Sequence, residues 1–251
     1  MKKEIAIIGY GRFGRLAARY LKRDFRICIS DSRPSVRTEQ GVRKVPVSEA
    51  ARKKFIILAV PIGKLKPVLR SLAPLLSPGT ILCDVCSVKV EPILWMKSIL
   101  PRHTIILGTH PLFGPDSAAT SCAGKRIVLC PVRIPRERLR RISRYLEGRG
   151  LIVHRMSARQ HDKLIASSLF LTQFIGHTLL RLDLPRAADL TSNYRRLSEI
   201  AKTTGHDTHE LLEDMHRHNR FAWQTPRLLI AELRKLEKEL SKGHKRTRLS
   251  S

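Results

Sequence analysis

Two polar stretches of this 251-residue chain carry side chains that could bind a ligand or move a proton. They run from Asp84 to Lys89 and from Gly108 to Ser117, and each follows a short apolar segment typical of a buried strand. Open α/β sheets bind ligands beyond the carboxyl ends of their strands, so both stretches are expected at one such edge. A histidine in that place is either an acid–base group or a hydrogen-bonded structural residue, and the residues alone leave both roles open for His110.

A glycine-rich turn near the amino terminus predicts a site for phosphate groups. Four apolar residues, 5–8, run into Gly9, Gly11 and Gly14, and a helical pattern follows this G-x-G-x-x-G spacing. In such a turn the first glycine allows the tight bend, the second admits a pyrophosphate, and the third lets the helix pack on the strand. Free N–H groups at the helix N-terminus favour the anion. We therefore predict a dinucleotide cofactor, bound by residues of this turn and of later strand ends: Gly9, Tyr10, Gly11, Arg12, Phe13, Gly14, Ser32, Arg33, Val60 and Ser87.

The end of the second predicted strand bears on which dinucleotide binds. A carboxylate there hydrogen-bonds the ribose hydroxyls of NAD, whereas serine and arginine accept the 2′-phosphate of NADP. Asp31, Ser32 and Arg33 offer both chemistries in adjacent positions, and their spacing from Gly9 fits either cofactor. Because Arg33 is a ready phosphate ligand, we expect NADP, with NAD as the alternative.

The elements that would position these residues alternate up to about residue 153. Strands are predicted at 4–8, 26–30, 55–60, 80–85, 104–107, 126–130 and 151–154, with a short proline-limited strand at 45–47. Helices are predicted at 12–23, 63–76, 91–100 and 136–149. The alternation is typical of βαβ units and predicts an α/β fold with a doubly wound, mostly parallel sheet of the Rossmann type. We assign residues 1–154 to this dinucleotide-binding domain.

After residue 155 the strand signals end and only helical patterns remain. A capping box at 157–160 opens a long apolar helix that reaches about Asp183. A second capping box, 207–210 with Asp207 first, opens another helix, and Thr225-Pro226 starts an amphipathic one that runs to Leu240. We predict an all-helical substrate and dimerisation domain at 155–241 and a basic tail at 242–251. We expect a homodimer, because a helical half of this size does not close a core alone.

The composition restricts the class of protein and its partners. Lys and Arg number 48 against 21 Asp and Glu, a net charge of +27 that raises the question of nucleic-acid binding. The basic residues are spread over nearly every predicted helix and only 5% of residues are aromatic, so a nucleic-acid stacking surface is not expected. Five cysteines, an odd number mostly in apolar runs, indicate reduced thiols without a metal. No segment reads as a signal peptide or membrane span, so we expect a cytoplasmic protein with a small-molecule substrate.

Together, the glycine turn and the two polar stretches resemble the prephenate and arogenate dehydrogenases of tyrosine biosynthesis. The match rests on the G-x-G-x-x-G turn, on D-x-x-S-V-K at 84–89 and on T-H-P-L-F-G-P-D-S at 109–117, and His161-Asp162 adds to it. The nearest match is to plant-type arogenate enzymes, whose NADP-using members carry a Ser-Arg pair where this chain has Ser32-Arg33. We expect neither a mutase segment before residue 1 nor a regulatory domain after residue 251.

The resemblance implies an oxidative decarboxylation. Hydride passes from the substrate ring to the nicotinamide, the 4-hydroxyl loses its proton, and the ring carboxylate leaves as carbon dioxide. His110 is then the base for the hydroxyl, and Ser87 orients His110 or the hydroxyl and contacts the nicotinamide. The implied substrate-binding residues are Ser87, Thr109, His110 and Gln173. We expect prephenate, which yields 4-hydroxyphenylpyruvate, because a positive field gathers a dianion; arogenate, which yields tyrosine directly, is the alternative.

The chain departs from the family pattern in its helical half. Gln173 stands where many bacterial prephenate dehydrogenases have a histidine, and Glu199 stands where they have an arginine for the side-chain carboxylate of the substrate. Arg195 or Arg196, one turn away, could substitute. A related β-hydroxy acid dehydrogenase would need a catalytic lysine in the long helix, and Lys163 lies at its start. The alternative of another class is a non-catalytic basic Rossmann-fold protein that binds nucleic acid or a regulatory partner.

Overall fold

The computed structural model describes residues 2–182 and 191–247. The chain divides into two compact units, Met1–Asp162 and Lys163–Ser251. The division falls inside the helix Ala158–Ser167, whereas the sequence placed the boundary between residues 154 and 155. The start of that helix, with His161 and Asp162, thus belongs to the first unit.

One eight-stranded sheet organises the first unit. Its strands are β1 Glu4–Ile8, β2 Arg26–Ser30, β3 Val42–Lys44, β4 Phe55–Leu58, β5 Ile81–Asp84, β6 Ile105–Pro111, β7 Arg126–Arg133 and β8 Ile152–Arg155. They are arranged in the order β3-β2-β1-β4-β5-β6-β7-β8. Every neighbouring pair is parallel except β6 with β7. The doubly wound, mostly parallel sheet of the Rossmann type predicted from the sequence is therefore confirmed.

The apolar composition of the central strands explains their burial. A strand covered by helices on both faces is apolar at successive positions, and all seven residues of β6 are buried. β6 continues past its predicted end at Leu107 to Pro111, so His110 lies within the strand. Leu58 of β4 pairs with Asp84 of β5, and Asp84 pairs with Gly108 of β6. The residues that follow these three positions therefore emerge at one edge of the sheet.

Helices follow most of the strands. In the first unit they are α1 Arg12–Leu21, α2 Val47–Ala50, α3 Ile62–Leu72, α4 Val90–Ile99 and α5 Arg136–Gly148, and α6 Ala158–Ser167 crosses into the second. The strand predicted at 45–47 is wrong, because the strand is Val42–Lys44 and Pro46 is the N-cap of α2. Pro46 has no N–H to give to a sheet, and its φ of −64° suits the start of a helix. The capping box before α6 is confirmed, since Ser157 and Gln160 each accept the main-chain N–H of the other.

The described part of the second unit is helical. It contains α7 Leu169–Leu179, α8 Ser192–Gly205, α9 His209–His218 and α10 Thr225–Thr247. The long helix predicted to start at residue 157 is instead two helices, α6 and α7, that meet at Ser168, and its predicted end at Asp183 lies outside the described residues. The hydroxyls of Ser167 and Ser168 both donate to the carbonyl of Leu164. Hydroxyl bonds of this kind compete with the backbone ladder and bend helices.

The starts and ends of the last two helices also differ from their predictions. The N-cap of α9 is Thr208, whose hydroxyl accepts the N–H of Leu211, and not Asp207. α10 passes its predicted end at Leu240 and reaches Thr247, so the basic tail begins as helix, while 248–251 lie outside the described residues. Within the described residues, no helix is both long and apolar enough to cross a membrane.

Candidate active site

The turn after β1 is tightly packed at two of its three glycines, at Gly9 against Ala59 after β4 and at Gly14 against its own backbone. Gly9 has a φ of +94°, in the left-handed region, and a Cβ added there would lie 2.3 Å from the carbonyl oxygen of Ala59. A Cβ added to Gly14 would lie 2.2 Å from the carbonyl oxygen of Gly9. Val60 borders the same place, because its Cγ1 would lie 2.9 Å from the added Cβ of Gly9. α1 can approach the turn this closely only because residues 9 and 14 lack side chains.

Gly11 differs from the other two glycines because its missing side chain leaves open space. A Cβ added to Gly11 would meet no atom of the described residues within 4 Å. Gly11 is the N-cap of α1, and neither a capping side chain nor an acidic residue occupies the first turn of this helix. Open space beside uncapped N–H groups is what a pyrophosphate requires. The residues of the turn therefore fit a dinucleotide.

Asp31, at the end of β2, is held by hydrogen bonds from two sides. Its carboxylate accepts the amide of Tyr10 at 2.7 Å and the guanidinium of Arg33 at 2.9 Å from Nε and 2.8 Å from Nη2. The hydrogen bonds from Arg33, helped by the amide of Tyr10, hold the pKa of Asp31 far below its usual range, against the effect of burial. Ser32 and Arg33 themselves are exposed. The carboxylate is thus tied to the glycine turn while the arginine lies at the surface.

Three other residues predicted to bind the cofactor have partners within the first unit. Arg12 forms an ion pair with Asp116 at 2.7 Å, and the ring of Phe13 lies 6.4 Å from that of Phe113 between centroids. Both contacts join α1 to the segment that follows β6. The side chain of Tyr10 is fully buried in the core. Tyr10 can therefore reach a ligand only through its main chain.

His110 lies near the end of β6 and is 5% exposed. Its Nδ1 is 2.8 Å from Nε2 of His161, at the start of α6. Among the described residues we find no hydrogen-bond partner for the Nε2 of His110. Burial, assisted by His161 and by the charge of Lys89, holds the pKa of His110 well below its usual value, so the imidazole is neutral near physiological pH.

Asp162 joins His161 to the start of α4. Its Oδ1 accepts hydrogen bonds from Nδ1 of His161 and from the amide of Lys89, both at 2.7 Å, and its Oδ2 accepts the amide of Val90 at 2.8 Å. His161 and Asp162 are both buried. The carboxylate thus caps α4 from a different element and fixes the imidazole of His161 at the same time.

A buried ion pair lies beside these residues. Lys89 and Asp84 are both 0% exposed and are in contact through Nζ and Oδ2. The Nζ of Lys89 also donates to the carbonyl oxygen of Thr109 at 2.8 Å, and the hydroxyl of Thr109 donates to the carbonyl of Asp84 at 2.5 Å. These bonds connect the ends of β5 and β6. They hold the ammonium group of Lys89 at the carbonyl oxygen of Thr109, the residue that precedes His110.

The sequence correctly placed Thr109, His110 and the 84–89 stretch at neighbouring strand ends, but it missed the partner of His110. Ser87, expected to orient His110, is half-buried, and the ring of His110 is hydrogen-bonded to His161 instead. From the sequence, His161 and Asp162 contribute only to the family resemblance and have no predicted role. The available signal was a histidine next to a carboxylate at the opening of a helix.

The remaining candidates for substrate binding lie in the second unit. Gln173, on α7, is 6% exposed, and its Nε2 donates to Asp207 at 2.7 Å, whereas its Oε1 has no hydrogen-bond partner in the described residues. Oδ2 of Asp207 is thus bound to α7, and Thr208 is the N-cap of α9. Four charged residues considered from the sequence are exposed: Lys163, Arg195, Arg196 and Glu199.

Comparison with known proteins identifies the family of the chain. A family model described as prephenate dehydrogenase, nucleotide-binding domain, matches residues 17–154, more than half of the chain, and one described as TYRAAT1-like, C-terminal domain, matches 178–250. Arogenate dehydrogenase 2, chloroplastic, of Arabidopsis thaliana is 29% identical over 249 residues, which cover 94% of this chain and 70% of the plant protein. Cyclohexadienyl dehydrogenase of Zymomonas mobilis is 31% identical over 195 residues, which cover 71% of this chain and 66% of that protein.

Solved structures share the fold at lower sequence identity. Prephenate dehydrogenase from A. aeolicus, solved in complex with hydroxyphenyl propionate and NAD+, superposes with a TM-score of 0.74 at 19% identity, covering 98% of this chain and 93% of the other. Synechocystis arogenate dehydrogenase gives a TM-score of 0.68 at 22% identity, with 96% and 93% coverage. The chain therefore belongs to the prephenate and arogenate dehydrogenase family of NAD(P)-dependent oxidoreductases.

Proposed function

We propose that this protein catalyses the oxidative decarboxylation of prephenate to 4-hydroxyphenylpyruvate, with NADP as hydride acceptor, in tyrosine biosynthesis. One observation carries the proposal. A buried, neutral histidine, His110, has a hydrogen-bond partner among the described residues at Nδ1 and none there at Nε2, and it lies at the sheet edge that also carries the glycine turn. β6 is three strands from β1, about 14 Å at the usual ~4.8 Å spacing, so the turn and the base face different parts of an extended ligand.

The groups of the chain divide the work of this reaction. Gly9, Gly11 and Gly14 with the N-terminus of α1 would hold the pyrophosphate, and the bound nicotinamide would supply the hydride acceptor. His110 accepts the proton of the 4-hydroxyl at Nε2. Because forming an aromatic ring drives the reaction, the protein chiefly has to position its reactants and remove this proton.

Replacement of the base tests the reaction. His110→Asn should lower kcat by roughly 10²-fold or more, the usual scale for a lost acid–base group, and should leave the Kd for NADP unchanged. His103→Asn is the matched control, because His103 precedes β6 at its other end and contacts the carbonyl of Leu76. Near-normal turnover of His110→Asn would remove His110 from the mechanism.

Arg33 supports the choice of NADP. Its guanidinium is exposed, and the buried carboxylate of Asp31 would keep its hydrogen bond from the amide of Tyr10 when Arg33 turns to a 2′-phosphate. Arg33→Ala should raise KM for NADP about tenfold or more, the worth of a charge-assisted hydrogen bond, with little effect on KM for NAD. Arg43→Ala, at an exposed arginine paired with Glu49, is the control. An equal change for both cofactors would contradict a role for Arg33 in selecting NADP.

The arrangement near α1 supports prephenate over arogenate. Arogenate carries an ammonium where prephenate carries a keto group, and the carboxylate that the segment after β6 offers, Asp116, is engaged by Arg12. The net charge of +27 also favours a dianion. We expect the highest kcat/KM for prephenate with NADP among the four combinations of prephenate or arogenate with NAD or NADP, measured by absorbance of the reduced cofactor. A higher value for arogenate would assign the alternative reaction.

We also propose a homodimer formed through the helical half. Leu228, Leu233, Leu236 and Leu240 on α10 are between 53% and 64% exposed, although apolar side chains at this spacing form one face of a helix. Sedimentation of the wild type should give a dimer at micromolar concentration, and Leu233→Glu with Leu236→Glu should give a monomer. A monomeric wild type would refute the dimer.

A cytoplasmic location is the remaining part of the proposal. Within the described residues the five cysteines form no disulfide bond, and four of them are buried, as in proteins of reducing compartments. The Arabidopsis relative is chloroplastic by name. Fractionation of the source cells with an antibody to this chain should find it with cytoplasmic markers, and recovery in an organelle would contradict the assignment.

A further inference from the structure

We propose that His161 and Asp162 form a proton relay behind His110, so that the proton taken from the substrate hydroxyl comes to rest on His161. The inference rests on the proposed function for the source of the proton. The relay itself follows from the hydrogen bonds of four groups: the amides at the start of α4, Asp162, His161 and His110.

The direction of each hydrogen bond in this series can be assigned by starting from the backbone amides of Lys89 and Val90. The N–H groups of Lys89 and Val90 can only donate, so both oxygens of Asp162 act as acceptors. Nδ1 of His161, 2.7 Å from Oδ1 of Asp162, must then carry its proton. In a neutral imidazole the other nitrogen is an acceptor, so Nε2 of His161 accepts.

The same logic fixes the tautomer of His110. Its Nδ1, 2.8 Å from the accepting Nε2 of His161, must be the donor. Nε2 of His110 then carries the lone pair, and it is the ring nitrogen without a partner among the described residues. His161 and Asp162, about 50 residues along the chain from His110, thus give it a defined tautomer with the lone pair on Nε2, without any contribution from Ser87.

The transfer balances without a further reactant. The O–H bond of the substrate breaks and its proton binds to Nε2 of His110, while the proton on Nδ1 of His110 passes to Nε2 of His161. His110 ends as the neutral Nε2–H tautomer, and His161 ends as an imidazolium bound to the carboxylate of Asp162. The reverse shift returns the proton to water at Nε2 of His110 after the product has left.

The charges around the two rings favour His161 as the final site. Burial lowers the pKa of both imidazoles. The hydrogen bond to Asp162 raises the pKa of His161, whereas the charges of His161 and Lys89 lower the pKa of His110 further. Lys89 lowers the pKa of both rings, and Asp84 raises that of His161. Two thiols in the same region, Cys83 and Cys130, are uncharged because burial raises their pKa, that of Cys130 to about 12.

The tautomers can be measured without any substrate. Two-dimensional ¹H–¹⁵N NMR of histidine-labelled protein at neutral pH should show Nδ1–H and bare Nε2 for both rings, assigned from the signals lost in His110→Asn and His161→Gln. A proton on Nε2 of His110 in the wild type would overturn the relay. This measurement needs no enzymatic activity. If all four substrate and cofactor combinations are inactive, the proposed function is contradicted, but the tautomers still test the relay.

The pH dependence of kcat/KM then separates a relay from simple packing. A proton already on His161 reverses the His110 tautomer, so the acid limb of the wild type should report His161. In His161→Gln only His110 titrates, and we expect the acid limb to move to lower pH and kcat to fall about tenfold, less than the roughly 10²-fold loss of the base itself. An acid limb that stays in place would overturn the relay.

Two further variants serve as a substitute and as a control in this test. His161→Asn removes the same imidazole with a shorter side chain and should move the acid limb in the same direction if His161→Gln fails to fold. His154→Gln removes another partly buried imidazole of the first unit, on β8, and should keep the acid limb and kcat of the wild type. If His154→Gln moves the limb as far as His161→Gln does, the shift is not specific to the relay and the inference fails.

Discussion

Gly11 and Gly14 belong to the same motif, yet the structure predicts opposite consequences for replacing them with alanine. A Cβ at residue 14 would lie 2.2 Å from the carbonyl oxygen of Gly9 and 3.1 Å from its carbonyl carbon. These are backbone atoms of a turn that cannot swing aside as a flexible side chain can. A Cβ at residue 11 would meet nothing within 4 Å, and the φ of −74° at Gly11 suits any residue.

The magnitudes follow from opposing effects. Gly14 lies within α1, where alanine gains about 1 kcal/mol of helix propensity. Overpacking costs about 1–3 kcal/mol and more against rigid atoms, so we expect a net loss of about 2 kcal/mol and a fall in Tm of roughly 4–8 °C. At Gly11 the loss of a favoured N-cap residue and the reduced entropy of the unfolded chain nearly cancel, so the change in Tm should stay within about 2 °C.

Gly11→Ala, the variant with little effect on stability, should be the one that weakens cofactor binding directly. In Gly11→Ala the methyl group fills the space beside the uncapped N–H groups of α1, so the Kd for NADP should rise at least about tenfold in a protein of normal stability. Gly148→Ala, at the end of α5 with open space around its Cα, is the control for both measurements. Thermal unfolding and calorimetric titration suffice. A Gly14→Ala variant as stable as the wild type, or a Gly11→Ala variant that binds NADP normally, would refute the reasoning.

Two other predictions concern the groups near the base. Burial lowers the pKa of His110 and His161, so below about pH 6.5 the unfolded chain takes up protons that the folded chain does not. The free energy of unfolding should therefore decrease as the pH is lowered, by up to about 1.4 kcal/mol per pH unit for each ring. Urea unfolding at pH 7.5, 6.5 and 5.5 measures this slope, which should be smaller in His161→Gln; a flat profile in the wild type would count against neutral buried rings. Lys89→Met strands the buried carboxylate of Asp84 and should cost about 3–5 kcal/mol, of which the double variant with Asp84→Asn should recover most. If the double variant is no more stable than Lys89→Met, the unpaired charge is not the cause of the loss.

The features predicted correctly from the sequence have short-range causes. The strand, the glycine turn and the start of α1 follow from adjacent residues, since apolar runs form strands buried on both faces and a φ of +94° at residue 9 calls for glycine. The capping box of Ser157 and Gln160 is equally local. The two wrong predictions, at Pro46 and Ser168, also have local causes. Pro46 lacks an N–H for a sheet, and the hydroxyl of Ser168 donates to a helix carbonyl. The pattern of apolar residues contains neither effect.

By itself the sequence determined the type of fold, the glycine turn after β1 and the strand edge on which His110 lies, because each depends on side-chain pattern within one or two elements. The partner of His110 was decided only by the tertiary structure. His161 is 51 residues away, and the amide of Lys89 that orients Asp162 is 73 residues from it. Such pairs are created when α6 docks against the ends of β6 and α4, and docking depends on the shapes of all the packed side chains together. No spacing along the chain encodes that distance, so the hydrogen-bond partner and the protonation state of His110 depend on the tertiary structure.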